Sequence, residues 1–350
     1  LYAHIGGRPA DISRADAPHL RRSVELHSDW GTLEWLLHDA FALGHRVGVV
    51  CNSDGHKGAP GACYPGASEF GAYSGLTCFL ANALSRDAIF GAMRKRRHFG
   101  TTGARMYISL SATLGPNGNR FPEDPRWSDM PPRPAALAEM GDIVDSDLTA
   151  LPLSFSVRTH APIERVDVLA GPDVLKSFRP YSASDLGQRL RLIWQGAEYR
   201  GRGRQTHWQG HVALDGARIA QMKTFNLWNH DRKTALVAPG RVEFDIVTTG
   251  NFAGVDLWLE PGAHGDLTMT SQVATGQFGI AEIGLEERVI DAGGLDRKFR
   301  AFRLPDALTC LELEGQIDVP RAKHGGDTPI WLRVSTEDGH RAWTSPIYWI

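Results

Sequence analysis

The sequence predicts an α/β portion followed by an antiparallel β-sandwich, and three observations carry that expectation. An amphipathic helix, a glycine stop and an apolar strand follow one another over residues 33–50. From about residue 151 the chain turns to short segments of alternating polarity. Between the two lies a stretch dense in proline and glycine, so the expected division is 1–114, 115–150 and 151–350.

Leu33, Leu36, Leu37, Ala40 and Phe41 recur at helical spacing, which predicts a helix over 33–43 that Gly44 ends in a left-handed cap. Residues 46–50 then read as a short buried strand. Helix, stop, strand and polar loop make one half of an α/β unit, and the C-terminal ends of such strands are where sites are usually built. Here the strand runs into Asp54-Gly55-His56, a carboxylate and an imidazole two residues apart in a glycine-containing turn. That pair suits a divalent metal. The plainer reading makes Asp54 a turn cap and His56 a surface residue.

Upstream, an apolar stub ends at His4 before two glycines, and the segment 23–28 carries Glu25 and His27. Downstream, the basic run at 94–98 closes a predicted helix, where cations complement the helix dipole; the competing reading is a phosphate or RNA patch. Thr101-Thr102-Gly103 forms a turn before Arg105. The Pro/Gly-rich segment 115–150 reads as a linker or surface excursion. Beyond it, 153–157, 165–169, 189–194, 242–246, 255–259 and 330–334 alternate with period two, which predicts the sandwich. Trp194, Trp208, Trp228, Trp258, Trp331, Trp343 and Trp349 all fall in this half, either as core or as a sugar-binding platform.

Hydrophobic residues are 42% and charged residues 22% of the chain, a globular composition. A net charge of -2 gives no footprint for nucleic acid, and no apolar run is long enough to span a membrane. Cys51, Cys63, Cys78 and Cys310 show neither zinc-ribbon spacing nor disulfide density. Cys51 reads as a buried small residue, or as one that faces a metal. His207 and His211 come nearest to ligand spacing, but their Trp- and Gly-rich surroundings read as surface or loop.

The stretches at 53–61 and 101–105, and the closing residues 337–347, resemble the PHP (polymerase and histidinol phosphatase) superfamily of metal-dependent phosphoesterases, most closely its uncharacterised DUF3604-type branch. The resemblance implies a distorted β/α barrel with divalent ions, Zn, Mn or Fe, at the strand C-termini. Asp54 and His56 match the family's final D-x-H, and His4 matches its late histidine, with Ile5 where the family often has proline. On this footing Asp54 and His56 are the catalytic candidates, and His4, Asp54 and His56 the metal ligands. Glu25 and His27 are expected to support the site or contact substrate, and Lys57 and Arg105 to meet its phosphate. Lys57 and Arg105 read equally well as solvated surface charges. The family's early H-x-H is absent, and the barrel-like stretch is about half of the roughly 200 residues a barrel needs. The chain is therefore expected to begin in mid-barrel and to self-associate through exposed strand edges.

The function expected is hydrolysis of a small, phosphorylated substrate by metal-activated water. Two alternatives stand beside it: a metal-dependent hydrolase of another ester or amide, and a non-catalytic binding protein with a vestigial metal site. Localisation is open, with the cytoplasm favoured.

Overall fold

Alternation of apolar and polar residues builds most of the architecture. The computed structural model describes residues 2–3, 11–14, 17, 19–55, 73–200, 204–227, 231–322 and 326–350. Among them it places 28 strands and only two α-helices, so the chain is mostly β.

The strand Ala150–Arg158 pairs antiparallel with Tyr107–Thr113 on one side and Glu312–Pro320 on the other. Its Leu151, Leu153, Phe155 and Val157, every second residue, point into one core. Facing them is a ten-stranded sheet whose strand Thr328–Thr336 sends Ile330, Leu332 and Val334 into the same core. The other face of that strand is covered too: Trp331 joins Trp343, Leu169 and the apolar side of helix α1 (Glu34–Ala42) in a separate cluster. Burial on both faces explains why the strand lacks a solvent-facing polar row.

A second sandwich is built from two five-stranded sheets between residues 189 and 304. Arg189–Ala197 lies between Phe252–Leu259 and Leu295–Leu304, and its Leu190, Leu192 and Trp194 pack against Trp208 and Phe244 of the facing sheet. All six predicted sandwich segments are strands, slightly longer than their alternation indicates. Trp194, Trp208, Trp331, Trp343 and Trp349 are fully buried, the core reading for these five, while Trp258 is partly buried and Trp228 lies outside the described residues. His207 and His211 lie on the strand Thr206–Asp215 rather than in a loop.

The barrel expectation is corrected. Tyr2–Ala3, Ser23–Ser28 and Gly48–Cys51 are parallel neighbours in a four-stranded sheet, with α1 as the crossover between the last two and Gly44 at φ +67 closing it. The parallel succession then stops. Leu76–Phe79 and His98–Thr101, joined through helix α2 (Arg86–Arg94), pair antiparallel in the ten-stranded sheet. Arg341–Thr344, from the end of the chain, takes the open edge of His98–Thr101 where a barrel would continue its parallel order.

Strand pairing also crosses both boundaries expected from composition. Within 115–150, Asn119–Phe121 and Ile143–Asp145 belong to the ten-stranded sheet, and Leu137–Glu139 to the sheet opposite. The basic run has structural partners: Arg97 pairs with Glu139 and Asp142, and Arg96 is buried with its Nε donating to the Gly141 carbonyl. Among the described residues no helix is long and apolar enough to cross a membrane.

Candidate functional site at two parallel strand ends

Ser23–Ser28 is buried along its whole length, with Val24 and Leu26 in the core beneath α1. Alternation puts Glu25 and His27 on the opposite face. The register with Gly48–Cys51 slips between Glu25 and His27, the kind of irregularity that re-aims side chains beside functional sites.

The loop after Cys51 is tied back to these strand ends. Asn52 donates its amide Nδ2 to Glu25 Oε1 at 2.7 Å and its backbone N–H to the His27 carbonyl at 3.0 Å. The Asp29 N–H donates to the Ser53 carbonyl at 3.2 Å. Asp54 follows in the left-handed region, φ +48, which aspartate tolerates better than most residues. Glu25, His27 and Asp54 are thus delivered by adjacent strand C-termini. His4, His56 and Lys57 lie outside the described residues. Arg105 is exposed, and no hydrogen bond or ion pair among the described residues joins it to the other three.

His27 is a finished neutral imidazole. Its Nε2–H donates to the Tyr73 carbonyl at 2.7 Å, and Nδ1 accepts from the Thr32 hydroxyl at 2.9 Å. Burial pushes its pKa from 6.5 down to about 4, against the Tyr73 hydrogen bond. With both nitrogens spent, His27 positions Tyr73 and the 31–32 turn and offers no lone pair to a metal. Cys51 is buried in the cluster beneath α1 with its Sγ against Gly100, and burial together with Glu25 raises its thiol pKa well above the usual range, which fits the reading of a buried small residue. The described donors for a cation at the strand ends are therefore the carboxylates of Glu25 and Asp54, hard oxygen ligands that fit a divalent ion in part. In the Thr101–Gly103 turn the Thr101 hydroxyl is occupied by the Ala104 carbonyl, and Thr102 touches the His340 ring.

The turn beside this site docks onto the second sandwich. Gly31 has φ +112, and a Cβ there would lie 2.1 Å from the Thr249 carbonyl oxygen, which accepts from the Thr32 N–H. Gly31→Ala is expected to cost at least about 2 kcal/mol through backbone strain and overpacking, read as a lowered thermal midpoint. A midpoint within one degree of the parent would show that this docking is not needed.

With that geometry in place, comparison with known proteins adds one observation. Residues 45–130 match the model of a family described as a protein of unknown function, DUF3604. No curated protein and no solved structure matches the chain. The DUF3604-matched segment contains Asp54, α2, the Thr101–Gly103 turn and Arg105, while Glu25 and His27 precede it.

A further group of side chains adjoins the strand ends. His160, Asp338 and His340 bring one nitrogen or carboxylate oxygen each to within 4.8 Å of one another. Tyr73, whose carbonyl holds His27, stacks on the His340 ring at 5.2 Å. Spacing could not join His160 to Asp338, 178 residues away. One signal was present: Asp338-Gly339-His340 repeats the tripeptide at 54–56.

Proposed function

We propose that this chain is a metal-dependent hydrolase, most plausibly a phosphoesterase, whose reaction centre is built at the C-terminal ends of Ser23–Ser28 and Gly48–Cys51. The convergence of Glu25, His27 and Asp54 from adjacent parallel strands, with Asn52 holding the Glu25 carboxylate, carries the reading. The sequence resemblance to the PHP superfamily supports it, and Asp54 lies in the segment that matches the DUF3604 family of unknown function.

Asp54, His56 and His4 would hold the ion or ions, of the Zn, Mn or Fe class. When bound, a divalent ion supplies a water of lowered pKa and stabilises charge on a phosphoryl oxygen. The chain's own contribution is placement. Asn52 fixes one Glu25 oxygen, so that carboxylate keeps a set orientation as a hydrogen-bond acceptor. His27 holds Tyr73 and Thr32 without changing charge near neutrality. Arg105 and Lys57 are the cations proposed to meet a substrate phosphate. A small phosphorylated molecule is the proposed substrate, and a homo-oligomer the proposed assembly.

Asp54→Ala is expected to lower metal-stimulated hydrolysis of a phosphomonoester and phosphodiester panel by about 100-fold or more, since even residues behind a metal ligand typically account for 10–100-fold. Circular dichroism should be unchanged. Unaltered turnover in Asp54→Ala would place the chemistry elsewhere. Hydrolysis of carboxylic esters or amides alone would redirect the substrate class. The full engagement of both His27 nitrogens favours a second reading, a non-catalytic β-sandwich protein with a vestigial metal site. Inactivity across the whole panel with metal supplied would favour it.

A further inference from the structure

We infer that His160, Asp338 and His340 form a binding site for a late first-row divalent ion such as Zn²⁺, separate from the strand-end centre and built by turns of the first sandwich. His160 comes from the turn between Ala150–Arg158 and Ile163–Ala170, and Asp338 and His340 from the hairpin turn between Thr328–Thr336 and Arg341–Thr344. A connection between the two facing sheets and a hairpin of the ten-stranded sheet therefore set the donors.

The surroundings of His340 accommodate the tautomer a ligand needs. Its Nδ1 lies 2.9 Å from the Thr102 hydroxyl oxygen and 3.1 Å from the Thr102 carbonyl oxygen, which can only accept, and the proton is placed on Nδ1 toward them. The lone pair is then on Nε2. A backbone carbonyl behind the non-ligating nitrogen is the usual arrangement for a metal-bound histidine.

Asp338 is oriented as a ligand should be. The Thr336 hydroxyl donates to Oδ1 at 2.6 Å, and Oδ2 accepts from His160 Nε2–H at 2.8 Å, a proton that an ion between the two groups would replace. The His160 and His340 rings meet edge-on, with centroids 5.5 Å apart and planes at 72°. Tetrahedral zinc with ligands at about 2.0–2.1 Å separates its donors by roughly 3.3 Å, so the ion needs the 2.8 Å His160–Asp338 contact to widen slightly and the His340 donor, within 4.8 Å of both, to settle at that separation. Two imidazoles and one carboxylate suit Zn²⁺ or Co²⁺ better than Mg²⁺ or Ca²⁺, and half-exposed His160 leaves a coordination position open to solvent.

The test is titration of the metal-free full chain with Co²⁺, followed by visible absorption and by metal content after desalting. The wild type is expected to show a tetrahedral Co²⁺ spectrum. In the Asp54→Ala background, where the proposed strand-end centre has lost a ligand, a tetrahedral spectrum should persist, and adding His160→Ala or His340→Ala should weaken it by at least about 100-fold in affinity. His160 is surface-placed, so its variant is a fair test even if His340→Ala proves unstable. A Co²⁺ signal unchanged in His160→Ala, or no signal in the wild type, would overturn the inference. Loss in Asp54→Ala alone would do the same while leaving the strand-end hydrolase reading intact.

Discussion

Replacing Asp256 by alanine is expected to lower the unfolding free energy by about 3–5 kcal/mol, the usual cost of removing one partner from a buried ionic group. Asp256 is 1% exposed and accepts from Arg191 Nε and Nη2, both at 2.8 Å, and from Arg189 Nη2. Both arginines are themselves buried in the strand Arg189–Ala197. Burial alone would raise the Asp256 pKa, but the two guanidiniums outweigh it and hold the carboxyl below the ordinary aspartate range. Arg191 also reaches Glu164 Oε2 at 2.5 Å and the Glu337 carbonyl at 2.6 Å, and Arg189 reaches the Glu337 carboxylate. Asp256 thus belongs to the second sandwich while Glu164 and Glu337 belong to the first. Without it, two positive charges share two acceptors across a dry interface. Urea denaturation should show a lower midpoint in Asp256→Ala and a smaller loss in Asp256→Asn, which keeps one acceptor oxygen. A loss under about 1 kcal/mol for alanine would mean that water enters and solvates the arginines.

That strand also shows how far its sequence could be read. Arg-Leu-Arg-Leu alternation correctly assigns leucines to a core and arginines to the other face. It says nothing of what covers the arginine face, because alternation reports two sides and not their surroundings. A sandwich strand with a polar face reads as solvent-exposed, yet here the first sandwich lies over it, with Glu164 and Glu337 supplied from far away in sequence. The barrel expectation failed for a related reason. The helix, Gly44 and strand over 33–51 were legible because their signals are local. Whether the next strand joins in parallel depends on a competitor, Arg341–Thr344, roughly 240 residues downstream of His98–Thr101.

The candidate site divides in the same way. Asp54 at a strand end and Glu25 with His27 on one face follow from period and turn chemistry. The exhaustion of both His27 nitrogens does not, since Tyr73 lies 46 residues away in sequence. His160 carried no signal at all, being an isolated histidine in a turn. The Asp338-Gly339-His340 tripeptide was visible, but with no apolar strand ending in an α/β unit to flank it, it resembled any hairpin turn.

Acidification is expected to destabilise the protein in a window set by two buried histidines rather than by carboxylates. His98 donates Nδ1–H to the Val49 carbonyl at 2.7 Å and pairs Nε2 with the Ser23 hydroxyl at 3.2 Å; burial, with Arg96 nearby, lowers its pKa to about 4. His27 is lowered to the same value, also chiefly by burial. In the unfolded chain both titrate near 6.5. Between these values the unfolded state binds more protons, so stability falls as pH falls. The full contribution is present above 6.5, and the loss is complete once pH drops below about 4. At about 1.4 kcal/mol per pH unit the interval is worth roughly 3 kcal/mol for each ring. Denaturant midpoints at pH 7, 6, 5 and 4 should therefore decline steadily from the first step, before aspartates begin to protonate. A flat response from pH 7 to 5 would mean that one or both rings open to solvent and protonate in the folded state. The strand-end site draws a consequence from the same numbers. Because His27 stays neutral throughout pH 5–8, a limb near pH 6–7 in any hydrolysis profile belongs to a different group. The His27→Gln variant, which retains a hydrogen-bonding side chain, should keep that limb.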